Sequence, residues 1–155
     1  MLGIWQSHSD YQHFLIEQVN RQFKHNPRSI ENYELAILKM HHLNLDLVKD
    51  DFINLFSFTG KPSNIQPELF RSFILMSHFK FASIDLWVKF ASASPLISSL
   101  VGVSFLNFPD ASTHRDFINR LWMGPSPNKL KKPISKPKGK HGKNKLPPNT
   151  SWYRC

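Results

Sequence analysis

Arg115, Asn119 and Arg120, with Thr113 and His114 just ahead of them, fall along one side of a predicted helix; Phe117, Ile118, Leu121 and Trp122 form its apolar stripe. Arginine and asparagine make paired hydrogen bonds to the edges of guanine and adenine, and a helix-turn-helix reader lays such a face in the major groove. An ordinary amphipathic helix with a solvated outer face has the same pattern. A second feature follows at once. Lys129, Lys131, Lys132, Lys136, Lys138, Lys140, Lys143 and Lys145, with Arg154, lie in a stretch that has no acidic residue. Such a run attracts phosphate by releasing condensed counterions; a solubilising linker has the same composition. Its aromatics, Trp152 and Tyr153, stand at the far end, so stacking of bases along the run is not supported.

Other chemistries find no footing. The eight histidines are scattered, apart from the adjacent His41 and His42, which point in different directions on a helix. No HExxH or HxxxH spacing occurs, and Cys155 is the single cysteine, which excludes a cysteine zinc site and a disulfide scaffold. Asp50 and Asp51 are the densest acidic spot, where a helix N-terminus favours carboxylates through its dipole. Holding a metal with them and a histidine would need a ligand spacing that is absent. There is no glycine-rich phosphate loop, no GxSxG and no Cys/His nucleophile pattern. The expectation is a chain with no active site, metal or cofactor of its own.

The 155 residues carry 20 Lys+Arg against 11 Asp+Glu, a formal net charge of +9. Residues 1–123 are balanced, and the whole excess lies in residues 124–155. A hydrophobic fraction of 41% suits a core and is low for a membrane protein. Residues 90–109 are uncharged, but five serines, an asparagine, a glycine and two prolines argue against a span. The first ten residues lack the basic and apolar regions of a signal peptide. A cytoplasmic, reducing setting is expected, nucleoid-associated when bound to DNA, with no membrane partner.

The elements that position these residues follow from period and punctuation. An amphipathic helix capped by Asp10 runs towards Asn26-Pro27, and a second opens at Ser29 and continues to Leu45. Residues 1–45 read as an N-terminal helical extension. Residues 46–123 read as a compact helical domain, beginning with a short helix through Phe52, Leu55 and Phe56 and a turn cluster at Thr59–Ser63. Pro67 starts a helix to Ser77, Ser83 caps another to Ala91, and Pro95 and Gly102 bracket a short one. Thr113 to Asp116 reads as a capping box that opens the last helix. The expected core is Phe52, Phe56, Leu69, Phe73, Leu86, Trp87, Phe90, Phe117, Leu121 and Trp122. Phe79-Lys80-Phe81 is the apolar patch to suspect at the surface. Residues 124–155, with six of the eleven prolines, read as a disordered basic linker. No strand-period run is present, so the fold class is all-α, a small helix-turn-helix-like domain.

The run PELFRSFILMSHFKFASIDLWVKF, then PLISSLVGV, then FPDASTHRDFINRLW, resembles the N-terminal region of DDE-class insertion-sequence transposases. In that family a helix of the form xELxRSxxLM precedes a SxxxWV helix, an LxxLxGF element, a PxxxTFxDFxxRL helix and a lysine-rich segment. Glu68-Leu69, Arg71-Ser72, Leu75-Met76, Ser83, Trp87-Val88, Leu100 to Gly102, Pro109, Thr113, Asp116-Phe117 and Arg120 to Trp122 stand at the matching places. Phe56 and Gly60 to Pro62 fit a lead-in of the same family. The match covers Asp46 to Pro148. Each motif is loose alone; their order and spacing carry the resemblance. His114 stands where the family has phenylalanine.

The resemblance implies a helical domain that binds double-stranded DNA at the terminal inverted repeats of a mobile element. It also implies a following RNase H-like domain with three metal-binding carboxylates, before which this sequence stops. The expectation is therefore a truncated, non-catalytic DNA-binding fragment involved in transposition and DNA recombination. Thr113, Arg115, Asn119 and Arg120 would read sequence, and Lys129 to Lys145 would add affinity without preference. The other expectation is an interaction fragment that pairs with itself or with a full-length transposase and inhibits it.

Overall fold

The computed structural model describes residues 4–25, 27–53 and 64–123. Among them every regular element is helical: α1 (His8–Phe23), a 3-10 turn (Pro27–Asn32), α2 (Glu34–His42), and a 3-10 turn (Asp46–Val48) that runs into α3 (Lys49–Ile53). There follow α4 (Gln66–His78), α5 (Ile84–Ser92), α6 (Pro95–Val101), a 3-10 turn (Phe105–Asn107) and α7 (Ala111–Met123). The chain is all-α. Leu55, Phe56, the Thr59–Ser63 cluster, Asn26 and the basic segment lie outside the described residues. No single helix among the described residues is long and apolar enough to cross a membrane.

The short helix α6 is the centre. PLISSLV carries no charge and has no side to give to water. Residues 96–101 are all buried, and α1, α2, α4 and α5 pack around them. Ser94 caps its start by accepting the Ile97 N–H, and Pro95 fits the first turn. Gly102, at φ +99°, ends it in the left-handed conformation, with the Val103 N–H returning to the Ser98 carbonyl. The buried serines turn back on nearby backbone: Ser98 donates to the Ala91 carbonyl and Ser99 to that of Pro95. The Leu100 carbonyl, which the last helical turn leaves over, accepts the Tyr11 hydroxyl of α1 at 2.5 Å.

That last bond bears on the boundary expected between residues 45 and 46, which is not a break in packing. Tyr11, Leu15, Ala36 and Met40 share one buried cluster with Leu75, Trp87, Ala91, Ile97 and Leu100. The apolar stripes of α1 and α2 cover sides of α6 that would otherwise be wet, so these two helices are structural walls of the same core.

Helix starts differ from expectation in three places. Ser7, not Asp10, caps α1; the Asp10 N–H reaches Ser7 Oγ, while the Ser7 hydroxyl donates to Asp10 Oδ2 at 2.6 Å. The residues around Ser29 form a 3-10 turn, and α2 begins at Glu34. Asp110, not Thr113, caps α7: its Oδ1 accepts the Thr113 N–H at 2.7 Å and the Ser112 hydroxyl at 3.0 Å. A carboxylate placed just after Pro109 reaches those donors first, and Thr113 becomes a first-turn residue.

A second cluster joins α3, α4 and α7 through buried Phe52, Leu69 and Phe117, with Phe73 half-buried beside them. Four expected core residues, Leu86, Phe90, Leu121 and Trp122, are exposed, Trp122 at 84%. On α5 the buried pair is Trp87 and Ala91; on α7 it is His114 and Phe117, which turns the stripe away from Leu121 and Trp122. Conversely, Phe79 and Phe81 pack against the main cluster and are no surface patch. Lys80 between them is exposed at φ +58°, where the end of α4 turns back: Phe81 N–H to Met76 O and Lys80 N–H to Ser77 O.

Candidate nucleic-acid interface

α7 is held by its inner side. Phe117 stacks on Phe52 and on Phe73 with ring centroids 5.9 Å apart in each case. Arg115, Asn119 and Trp122 fall at positions i, i+4 and i+7, one outward stripe, and all three are exposed. Thr113, Asp116 and Arg120 take the flank towards α4 instead. With Ile65, Gln66 and Leu69 they border a shallow cleft of about 130 Å³. The five residues grouped on one face by sequence therefore separate: Arg115 and Asn119 lie on the outward stripe, Thr113 and Arg120 line the cleft, and His114 is fully buried. Lys129 to Lys145 lie outside the described residues.

The electrostatics of this helix are nearly neutral. Arg115 Nη2 meets Asp85 Oδ2 of α5 at 2.5 Å, an exposed pair that ties the two helices together. Asp116 shares the cleft with Arg120. The positive N-terminal end of α7 is taken up by the Asp110 carboxylate, whose hydrogen bonds to Thr113 and Ser112 hold it below the usual carboxylate range. Attraction for a polyanion from α7 alone is consequently weak.

His114 is the residue that sequence reading placed least well. Its Nδ1 lies 2.8 Å from the Asp110 carbonyl and its Nε2 2.8 Å from Ser72 Oγ, which also accepts the Trp87 Nε1–H at 2.8 Å. A carbonyl only accepts, so Nδ1 carries the proton and Nε2 accepts from the Ser72 hydroxyl. Burial pushes the imidazole below its ordinary value. Phe73 and Phe108 supply the rest of its slot. The legible hint was a ring-sized side chain one turn before Phe117.

The polar residues of the α4 motif are interior as well. Arg71 is 1% exposed, its guanidinium 3.5 Å from the centroid of the Tyr11 ring. Gly102 leaves room for it: a Cβ there would stand 3.0 Å from Arg71 Nη1 and 3.4 Å from the Tyr11 ring. Among the described residues, Arg71 Nε and Nη1 and Glu68 Oε2 have no hydrogen-bond partner. Burial lowers the Arg71 pKa and raises that of Glu68 and of the Tyr11 hydroxyl. Glu68, Arg71 and Ser72 are thus part of the interior that joins α4 to its neighbours.

α5 and α6 meet at 112° across a two-residue break. The second of the pair, α6, is buried and has no free face for a groove. Of the three helices α5 to α7, α7 has the outward arginine and asparagine. Among the described residues no three His, Cys, Asp or Glu side chains gather as a metal site. In comparisons with known proteins, no family model, curated protein or solved structure matches the chain.

Proposed function

We propose that this chain is the DNA-binding N-terminal part of a DDE-class insertion-sequence transposase, that it recognises the double-stranded terminal repeats of its element, and that it has no active site of its own. The observation that carries the reading is the ordered series of motifs from Glu68 to Trp122, followed directly by a basic segment. The geometry supports a division of labour. Arg115 and Asn119 lie on the outward stripe of α7 and are suited to base edges, while the near-neutral charge of that helix leaves phosphate attraction to the lysines of residues 129–145. Arg120, on the cleft flank, is suited to the adjoining backbone.

The test begins with the DNA on both sides of the reading frame, which supplies the repeat duplex. Binding of the full chain to that duplex and to a scrambled one is then compared with a variant carrying alanine at Arg115, Asn119 and Arg120. Paired hydrogen bonds to a base are worth about 1–3 kcal/mol each, so the variant should show little of the preference. An unchanged preference refutes α7 as the reader. Flanking DNA without repeats or an RNase H-like continuation removes the reading itself. The interaction-fragment reading draws on different residues from those first suspected: Leu106, Trp122 and Met123 are side chains with large exposed apolar area. A concentration-dependent mass without DNA binding favours it.

A further inference from the structure

α7 is anchored by two fully or nearly fully buried side chains, and one of them titrates. Phe117 has its phenylalanine stack. His114 sits edge-on to Phe73 at 5.3 Å and stacked with Phe108 at 5.9 Å, with both ring nitrogens spoken for. The network around it has one consistent arrangement of protons. Trp87 Nε1–H donates to Ser72 Oγ, the Ser72 hydroxyl donates to His114 Nε2, and His114 Nδ1–H donates to the Asp110 carbonyl. A second proton on the ring would face Ser72 Oγ, turn the serine hydrogen away from its acceptor, and set a charge among aromatic rings.

The neighbouring elements offer that charge little compensation. α4 faces the ring with Ser72 and Phe73, α5 with Trp87 through Ser72, and the preceding segment with Phe108. Arg71, next to Ser72, is turned to Tyr11, and Asp85 of α5 is engaged by Arg115. The charged group that acts on the imidazole is Asp110, whose carboxylate is nearly fully exposed and bonded to Ser112 and Thr113. Its pull towards the charged form is smaller than the opposing effect of burial. Beyond the exposed Arg115–Asp85 pair the rest of α7 adds little hold, since Leu121, Trp122 and Met123 are exposed. The main cluster around α6 contains no α7 residue among its buried members.

We propose that His114 is a proton-operated latch: the neutral imidazole keeps α7 docked on α4 and α5, and protonation in mild acid releases α7 while the α6-centred core stays packed. Release also parts Arg115 from Asp85, so the latch governs how the outward stripe is presented. The latch does not rest on the DNA-binding reading, and its test needs no DNA.

The test is amide hydrogen exchange on the full chain, as protection factors, from neutral pH down to about pH 5, for the wild type and for His114→Phe, which keeps a ring in the slot and takes up no proton. Below the ordinary histidine value of 6.5, α7 protection should fall towards tenfold per pH unit until the folded-state value is passed. α6 protection should hold, and the fall should vanish in the variant. Flat α7 protection, an equal fall in α6, or the same fall in the variant overturns the latch. Should the variant not fold, the wild-type imidazole signals decide. His114 titrating well below the ordinary histidine value of 6.5 supports it, and His114 titrating at or above that value overturns it.

Discussion

Lys80 holds a left-handed conformation that costs an L-residue roughly 1–2 kcal/mol and glycine little. Lys80→Gly should therefore raise stability by about 1 kcal/mol, read as a higher urea midpoint at constant slope. Gly102 is the opposite case. Its left-handed φ and the Arg71 guanidinium at 3.0 Å both resist a Cβ, so Gly102→Ala should lower stability by at least about 1 kcal/mol. Tyr11→Phe keeps the ring under Arg71 but orphans the Leu100 carbonyl, and should cost about 1–3 kcal/mol. Gly102 was legible as a helix stop from sequence. Lys80 was not, because nothing in its side chain announces a left-handed turn; the need arises from Phe79 and Phe81 both being drawn onto the core.

α7 shows how an element can be identified correctly and oriented incorrectly. Its apolar period is real, yet two ways of burying it differ by a small rotation, and the choice depends on what waits on α4. Ser72, Trp87 and the Phe73–Phe108 slot suit a ring with two nitrogens, which turns His114 inward and Trp122 outward. The sign of the pH dependence follows. The folded-state value of His114 lies below 6.5, so its stabilising effect is complete above the unfolded value and declines as pH falls through the interval down to the folded value. His78, also lowered, acts in the same sense, whereas Glu68, raised by burial, acts in the opposite one. Asp110, lowered by its hydrogen bonds, gives up its contribution as pH falls below its ordinary 3.8. Urea midpoints between about pH 7 and pH 5 should decline in the wild type and decline less in His114→Phe. Phe117→Ala, which empties the other anchor, should cost about 3–5 kcal/mol if α7 contributes fully to the cooperative unit.

At the scale of the molecule, charge is distributed unevenly along the chain. Residues 1–123 are balanced and residues 124–155 hold the excess. Deleting residues 124–155 should reduce the slope of log affinity against log salt by up to about 0.9 for each phosphate that the segment neutralises. An unchanged salt slope identifies the segment as a spacer.

The helices, most of their ends and the charge asymmetry were legible in the order of residues, because propensity, capping and period act over one or two turns. α6 illustrates this: Pro95 and Gly102 bracket it as expected. Its place at the centre, with α1 and α2 as its walls, was not legible, since a short uncharged helix is compatible with a surface turn or a core until its neighbours are assembled. The same holds for the candidate site. Arg115 and Asn119 were recognisable by type and spacing. That Asp85 holds Arg115, that Thr113 and Arg120 turn to the cleft, and that Glu68, Arg71 and His114 are interior depend on interactions between residues far apart in sequence. Such interactions form only when four helices close on α6 and α7 docks on α4 and α5.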